Sequence, residues 1–319
     1  MSGLPSPVAV ARLKLLAPLF FLIFAAVVVA VLAPGFASAS TLLIVLADTS
    51  TLFVLAAGLS FVIMLGSIDL SVPAVASLAS VLTALLLPQI GWLAFPAALG
   101  AGLAVGLCSG IVHVALRIPS FIATLATGGV VSGIALYVSD ARAIGIGQAE
   151  RQLLGWISGV SFGLPNIVLV AAVALSIGVY IQRYTRFGRY STAIGAGEPA
   201  ARASGIRVSR QKVLAFGLSG LFASLAGIML AARLTSGSPT GASQLLLPAI
   251  AAVIVGGTAI TGGVGGVAQT LVGALIVSVV RIGMTFLGVD IFAQQIVFGL
   301  VLIFAVAVTM DRANILIAK

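Results

Sequence analysis

The sequence predicts an all-α integral membrane protein of about ten transmembrane helices, and three observations predict it. Its 319 residues are 61% hydrophobic and only 7% charged, where a soluble domain carries about a quarter charged residues. Mean hydropathy is +1.28. Apolar runs of helical-span length recur along the chain, broken by short polar segments. Ionisable groups are costly in hydrocarbon, so a chain that nearly excludes them is adapted to lipid.

A span needs roughly 20 apolar residues, and Gly or Pro inside it is tolerated where neighbouring helices satisfy the backbone. On that basis the spans run from Leu15 to Ala33, Leu42 to Leu65, Pro73 to Leu87, Trp92 to Leu116, Pro119 to Val138, Asn166 to Ile181, Val213 to Ala232, Leu246 to Ile260, Val267 to Met284 and Ile291 to Met310. The first run is too long for the apolar region of a signal peptide and further spans follow it, so it is read as a membrane helix. The third and eighth are short, and the second carries Asp48 near its start, which suggests broken or re-entrant helices there. The whole chain, 1–319, reads as one transmembrane domain.

Net charge is +9. In a soluble protein that would suggest a nucleic-acid partner, but the basic residues sit at the ends of apolar runs and in one loop, as orientation signals do. With both termini inside, Arg12, Lys14, Arg117, Arg183, Arg186, Arg189, Arg202, Arg207, Arg210, Lys212, Arg312 and Lys319 face the cytoplasm, against Arg142, Arg151, Arg233 and Arg281 outside. Cytoplasmic termini are therefore expected, and nucleic acid is not an expected partner. The single cysteine, Cys108, permits no intrachain disulfide and reads as a small packing residue.

No catalytic constellation is visible. His113 is the only histidine and has no carboxylate near it in sequence, so it reads as a packed or helix-bonded residue, and no metal site is expected. The run Thr261–Gly266 lacks the Lys-Ser/Thr of a phosphate loop. Ion-coupled carriers hold carboxylates at mid-membrane, and only Asp48 and Asp69 qualify, both near expected helix ends. A neutral polar cargo would instead need hydroxyl, amide and aromatic groups. Phe121, Thr124, Gln244 and Gln294 are candidates for a substrate path, as are Thr127, Ser132, Gln269 and Gln295, with helix–helix hydrogen bonding an equal reading for each polar member.

Two polar segments remain. The first, about 139–165, is expected outside and sums to zero charge. The second, about 182–212, is expected inside and holds seven basic residues against Glu198. In it, Pro199 can occupy the first turn of a short helix that Gly205 ends. Such a helix offers a small smooth face, Ala200, Ala201 and Ala203, bordered by charge, suited to docking in a partner's groove. A basic loop resting on anionic membrane lipid fits equally.

Four stretches together resemble the ribose-type branch of the branched-chain/ribose permeases of ATP-binding-cassette importers. They are Ser67-Ile-Asp-Leu-Ser-Val72, with Ser67 and Pro73 where that family commonly has glycine; Ile118-Pro-Ser-Phe-Ile-Ala-Thr-Leu125; Thr185-Arg-Phe-Gly-Arg-Tyr190 with Gly197-Glu198 and Ala203-Ser-Gly-Ile206; and Ala249 to Thr258 with Gly262-Gly263. The resemblance implies the ten-helix type II importer fold of vitamin B12 permeases. It also implies a bacterial inner-membrane subunit that moves a monosaccharide or polyol by alternating access, without catalytic residues of its own.

The same resemblance implies partners: an ATPase that holds ATP and Mg, a periplasmic sugar-binding protein, and a second permease, identical or paralogous. It implies that Gly188, Arg189, Gly197, Glu198, Ala201, Arg202, Ser204, Gly205 and Ile206 contact the ATPase. Asp69, Ser71, Gly256, Gly257, Gly262 and Gly263 become structural or gating candidates. An ion-coupled carrier of a small polar solute, and a non-transporting scaffold, are the other function classes.

Overall fold

The computed structural model describes residues 7–33 and 35–309, and a helix stands at each of the ten expected positions. First come α1 (Pro7–Leu32), α2 (Ala39–Ile63), α3 (Val72–Ile90), α4 (Ala94–Leu116) and α5 (Ser120–Val138). The segment expected as an outer loop contains the two-residue strand β1 (Ile144–Gly145), the single-turn helices α6 (Gln148–Arg151) and α7 (Gly155–Ser158), and strands β2 (Val160–Ser161) and β3 (Leu164–Pro165). Then follow α8 (Asn166–Tyr184), α9 (Arg186–Ala196), α10 (Glu198–Ala203), α11 (Val208–Leu234), β4 (Ser236–Gly237), α12 (Leu246–Val255), α13 (Val267–Phe286) and α14 (Ile291–Thr309). β1 pairs antiparallel with β4 and β2 with β3, so the strands only pin loops together.

Among the described residues, six helical runs are long and apolar enough to cross a membrane: α2, the run through α3 and α4, α5, α8, α11 and α13. Shorter apolar stretches lie at 18–32, 243–255 and 291–303. The run through α3 and α4 bends at Gly91, whose φ of +56° suits glycine. Large apolar side chains remain exposed in stripes, for example Phe292, Ile296, Leu300 and Ile303 along α14. Water would penalise such a surface and lipid does not. The chain is a multi-pass helical membrane protein.

α11 is central and packs on α4, α3 and α2, while α2 also reaches α13, α8 and α12. The contact between α4 and α11 is glycine-mediated. A Cβ at Gly106 would overlap the Phe216 carbonyl, and one at Gly220 would overlap that of Gly102. With no hydrophobic force between helices in lipid, small residues at i, i+4 and i+8 such as Gly102, Gly106 and Gly110 let the backbones pack by dispersion. Gly100 lies off that face with open space around it.

The structure corrects several sequence expectations. Cys108 is exposed rather than packed, because Gly102, Gly106, Ser109 and Gly110 set the buried face of α4 and residue 108 falls off it. The second span starts at Ala39 instead of Leu42, so Asp48 lies ten residues into an unbroken helix. The third has 19 residues and is not short. The eighth ends at Val255 and not Ile260, since Gly257, at φ +101°, takes the left-handed position of a helix stop. The segment expected at 182–212 narrows to 185–207, because α8 reaches Tyr184 and α11 begins at Val208. Arg312, Lys319 and the chain termini lie outside the described residues.

Candidate functional site

The α8–α11 connection forms a folded elbow. Thr185 is extended and breaks α8, its side-chain oxygen accepting the Gly188 amide at 3.5 Å to begin α9. Gly188 is buried, and a Cβ there would overlap the Gln182 carbonyl, so the chain reverses tightly at this point. Pro199 stands in the first turn of α10, where its missing N–H is no loss. At the other end the Gly205 amide donates to Arg202 O at 3.0 Å and the Ile206 amide to Ala201 O at 3.1 Å. With Gly205 at φ +81° this is a Schellman stop, as the sequence suggests.

The elbow is seated on the bundle by an apolar underside. Ile194 and Ala201 pack with Val62 in the last turn of α2 and Leu65 just after it, and with Val208, Ala215 and Phe216 of α11. Gln211 of α11 reinforces this seat by donating to Phe187 O at 2.7 Å and to Ser191 Oγ at 2.9 Å. Glu198 accepts from Lys212 and from Arg202, each at 2.8 Å. Those bonds, Lys212's first, hold its carboxyl below the ordinary glutamate range against the opposing effect of partial burial. The outer face of α10 carries a groove lined by Glu198, Pro199, Arg202 and Ala203, continued by a second along Arg202, Ile206 and Arg207–Arg210. Arg189, Arg202, Ser204 and Gly205 are exposed, whereas Gly188 and Ala201 face inward. The nine residues that the resemblance singled out therefore share one elbow, but they divide between an outer face and a buried seat.

The gating candidates fall in two places. Gly262 and Gly263, at φ +90° and +78°, lie in the link between α12 and α13 and press against the elbow. A Cβ at Gly262 would stand 2.7 Å from Gly66 N and 2.9 Å from Gly195 Cα, and the Gly263 amide donates to Met64 O at 3.0 Å. Gly256 packs against the Gln269 backbone of α13.

Asp69 and Ser71 stand apart from these, before α3. Asp69 is fully buried, and its carboxylate accepts from Ser71 N at 3.0 Å, Ser71 Oγ at 2.6 Å and Ser219 Oγ of α11 at 2.7 Å. Ser120 Oγ and Thr124 Oγ1 of α5 accept the neighbouring Ile68 and Leu70 amides, each at 3.0 Å.

The four substrate-path candidates are not gathered into one site. Phe121 is exposed on α5, and Thr124 is buried with its hydroxyl engaged on the segment before α3. Gln244 is exposed ahead of α12, and Gln294 is buried, donating to Thr285 Oγ1 and Val289 O. For Thr124 and Gln294 the hydrogen-bonding role is the one seen. His113 donates from Nδ1 to Ile118 O at 2.7 Å and packs on Phe216, a structural bond at the end of α4.

Two features escaped the sequence. Asp48 binds both Arg233 of α11, at 3.2 Å, and Arg281 of α13. Gln182 donates to Gly265 O and accepts from the Val267 amide, each at 2.9 Å. The first pairing was recoverable in part, because an ionisable residue inside a span calls for a partner and the expected topology puts all three side chains at the same membrane face. Nothing in the sequence marks Gln182.

The chain is similar to known proteins over most of its length. It is 36% identical to the ribose import permease protein RbsC of Escherichia coli (strain K12) over 285 residues, 88% of this chain and 89% of that one. Identity is 36% to the ribose import permease protein RbsC of Bacillus subtilis (strain 168), covering 93% and 92%. It is 37% to the L-arabinose transport system permease protein AraH of E. coli (strain K12), covering 81% and 78%. Residues 41–306 match the family model described as branched-chain amino acid transport system / permease component. That match runs from Thr41, in the first turn of α2, through the whole of α13 and takes in the elbow, the glycine link and the Asp69 segment, so this chain belongs to that family of transport permeases.

Proposed function

We propose that the chain is the membrane-spanning permease subunit of an ATP-binding-cassette importer that carries a monosaccharide or related polyol across the bacterial inner membrane. The sugar permeases among its full-length relatives support the cargo class. Ten helices at the expected positions support ten crossings and the type II importer arrangement, with both termini in the cytoplasm. The observation that carries the reading is the elbow itself. It is a short, capped helix with a charged groove outside and an apolar seat on α2 and α11 inside, so a push on α10 is delivered to two bundle helices at once.

In operation, a separate ATPase holding ATP and Mg grips α10 around Glu198, Arg202 and Ser204. A periplasmic sugar-binding protein delivers cargo on the far side, and a second permease, identical or paralogous, completes the path. Nucleotide-driven closure of the ATPases moves the elbows, and the bundle alternates between outward and inward access. No covalent step falls to this chain; conformational change sets the rate.

Reconstitution tests this directly. Proteoliposomes carrying the chain with a partner ATPase and a periplasmic binding protein should accumulate a labelled pentose, hexose or polyol only when ATP is supplied at the elbow face. An ion-coupled carrier would work without the ATPase and would stop in Asp69→Asn, since Asp48, the other candidate for that role, is tied to two arginines. Uptake of that kind would overturn the proposal.

A further inference from the structure

We propose that Gln182 is a positioning residue that locks the start of α13 to the elbow, so that α13 moves with α9 and α10. This rests on the reading of the elbow as the contact for an ATPase.

The first amides of a helix have no partner within it, and a side chain at the N-cap ordinarily satisfies one of them. α13 begins after Gly266, which has no side chain to cap with. Gln182, 85 positions earlier at the end of α8, supplies the acceptor in its place by taking the Val267 amide on Oε1. Its Nε2 donates to Gly265 O, so both ends of one amide are spent on the link ahead of α13. A Cβ at Gly266 would overlap this amide, which leaves no room for a self-supplied cap.

Gln182 is also built into the elbow. Its own backbone lies directly against Gly188, at the start of α9. A second contact runs parallel to the first, since Gly195 of α9 touches Gly262 and Gly263 while Gly263 holds Met64 at the end of α2. Gln182, at the end of α8, thus holds the first turn of α13, and the elbow touches the link just ahead of it. α13 then runs about 21 Å, at about 1.5 Å per residue, from Val267 to Arg281. There it meets Asp48 at its other end. A helix is stiff along its axis, so a displacement imposed at Val267 reaches the ion pair.

A static cap would hold Val267 equally well but would not make α13 follow the elbow. Spin-label distances in the assembled permease–ATPase complex separate the two without knowledge of the cargo. In a Cys108→Ser background, one pair of cysteines at Ala193 and Ala268 reports elbow against α13, and another at Ala193 and Leu116 reports elbow against α4. With wild-type Gln182, adding a non-hydrolysable ATP analogue should shift the elbow–α4 distance and leave elbow–α13 unchanged.

In Gln182→Ala and in Gln182→Leu, which keeps the volume but neither hydrogen bond, the elbow–α13 distance should shift or broaden with nucleotide. The proposal is overturned if elbow–α13 moves as much as elbow–α4 with Gln182 present, if it stays fixed in both variants, or if both variants lose assembly with the ATPase, which would make the residue a plain structural cap. If neither distance responds to nucleotide in the wild type, the elbow is no motor contact, and it is the proposed function that falls.

Discussion

Asp48 and Arg281, 233 positions apart in the chain, form an ion pair between α2 and α13 that Arg233 of α11 joins from the other side. One carboxylate therefore ties α2 to both α11 and α13, the two helices it already packs against. Removing one member of a buried pair costs about 3–5 kcal/mol, chiefly because the other is left uncompensated.

Asp48→Ala strands two guanidiniums, so it should lower the thermal unfolding temperature of the detergent-solubilised protein sharply. Arg233→Ala should cost only about 1 kcal/mol, because Arg281 still satisfies the carboxylate and exposed pairs contribute little; Arg233 keeps 35% of its side chain accessible. Equal losses in the two variants would contradict this division of roles.

Much of this arrangement is legible in the sequence, and the remainder divides along a physical line. Helices are local, so apolar runs and the Pro199–Gly205 bracket locate the spans and α10, although α1 begins at Pro7, well ahead of the expected Leu15. The face that each helix buries is a tertiary property. Cys108 and Gly100 are as apolar as their neighbours, yet only the glycines that oppose α11 are buried. Phe121, Thr124, Gln244 and Gln294 read as a path by side-chain type, but type does not tell which helices meet. Gln182 reads as a polar residue at a helix end and acts on a backbone 85 residues away. The partners of Asp48 are narrowed but not fixed by the sequence, since a charge in lipid calls for a counter-ion and four cations, Arg142, Arg151, Arg233 and Arg281, share its expected face.

Two glycines of the elbow sit under different constraints, and substitutions separate them. Gly205 has φ +81° with open space around it, so Gly205→Ala costs only backbone strain of about 1 kcal/mol and should leave uptake largely intact. Gly205→Pro removes the N–H that donates to Arg202 O and fixes φ at the wrong sign, and uptake should be abolished with the protein still inserted. At Gly195 the backbone is unstrained but the Cβ would overlap Met64 O and Gly263 N, so Gly195→Ala should abolish uptake as well. Uptake assays with a membrane-insertion control decide it, and normal transport in both Gly205→Pro and Gly195→Ala would remove the elbow from the mechanism.

Acid should loosen the elbow through Glu198. Its carboxyl titrates below the ordinary value because Lys212 and Arg202 favour the charged form. The stabilisation from these pairs is complete above the unfolded value of about pH 4.3 and is lost as pH falls through the lower folded value. Nothing should change between about pH 6 and 8 from this group. An environment-sensitive fluorophore on Ser204→Cys, in a Cys108→Ser background, should report a transition centred below about pH 4.3 that Glu198→Gln abolishes. A midpoint above that value would show that the two cations do not hold the carboxylate.

The proposed function requires the elbow to face the cytosol and to be gripped there by an ATPase. The same Ser204→Cys, Cys108→Ser variant tests both with a membrane-impermeant maleimide. Labelling is predicted only when the cytoplasmic face is exposed, in inverted vesicles, and is predicted to fall when the ATPase subunit is bound. Labelling from the periplasmic face of intact spheroplasts, or labelling that the ATPase leaves unchanged, would contradict it.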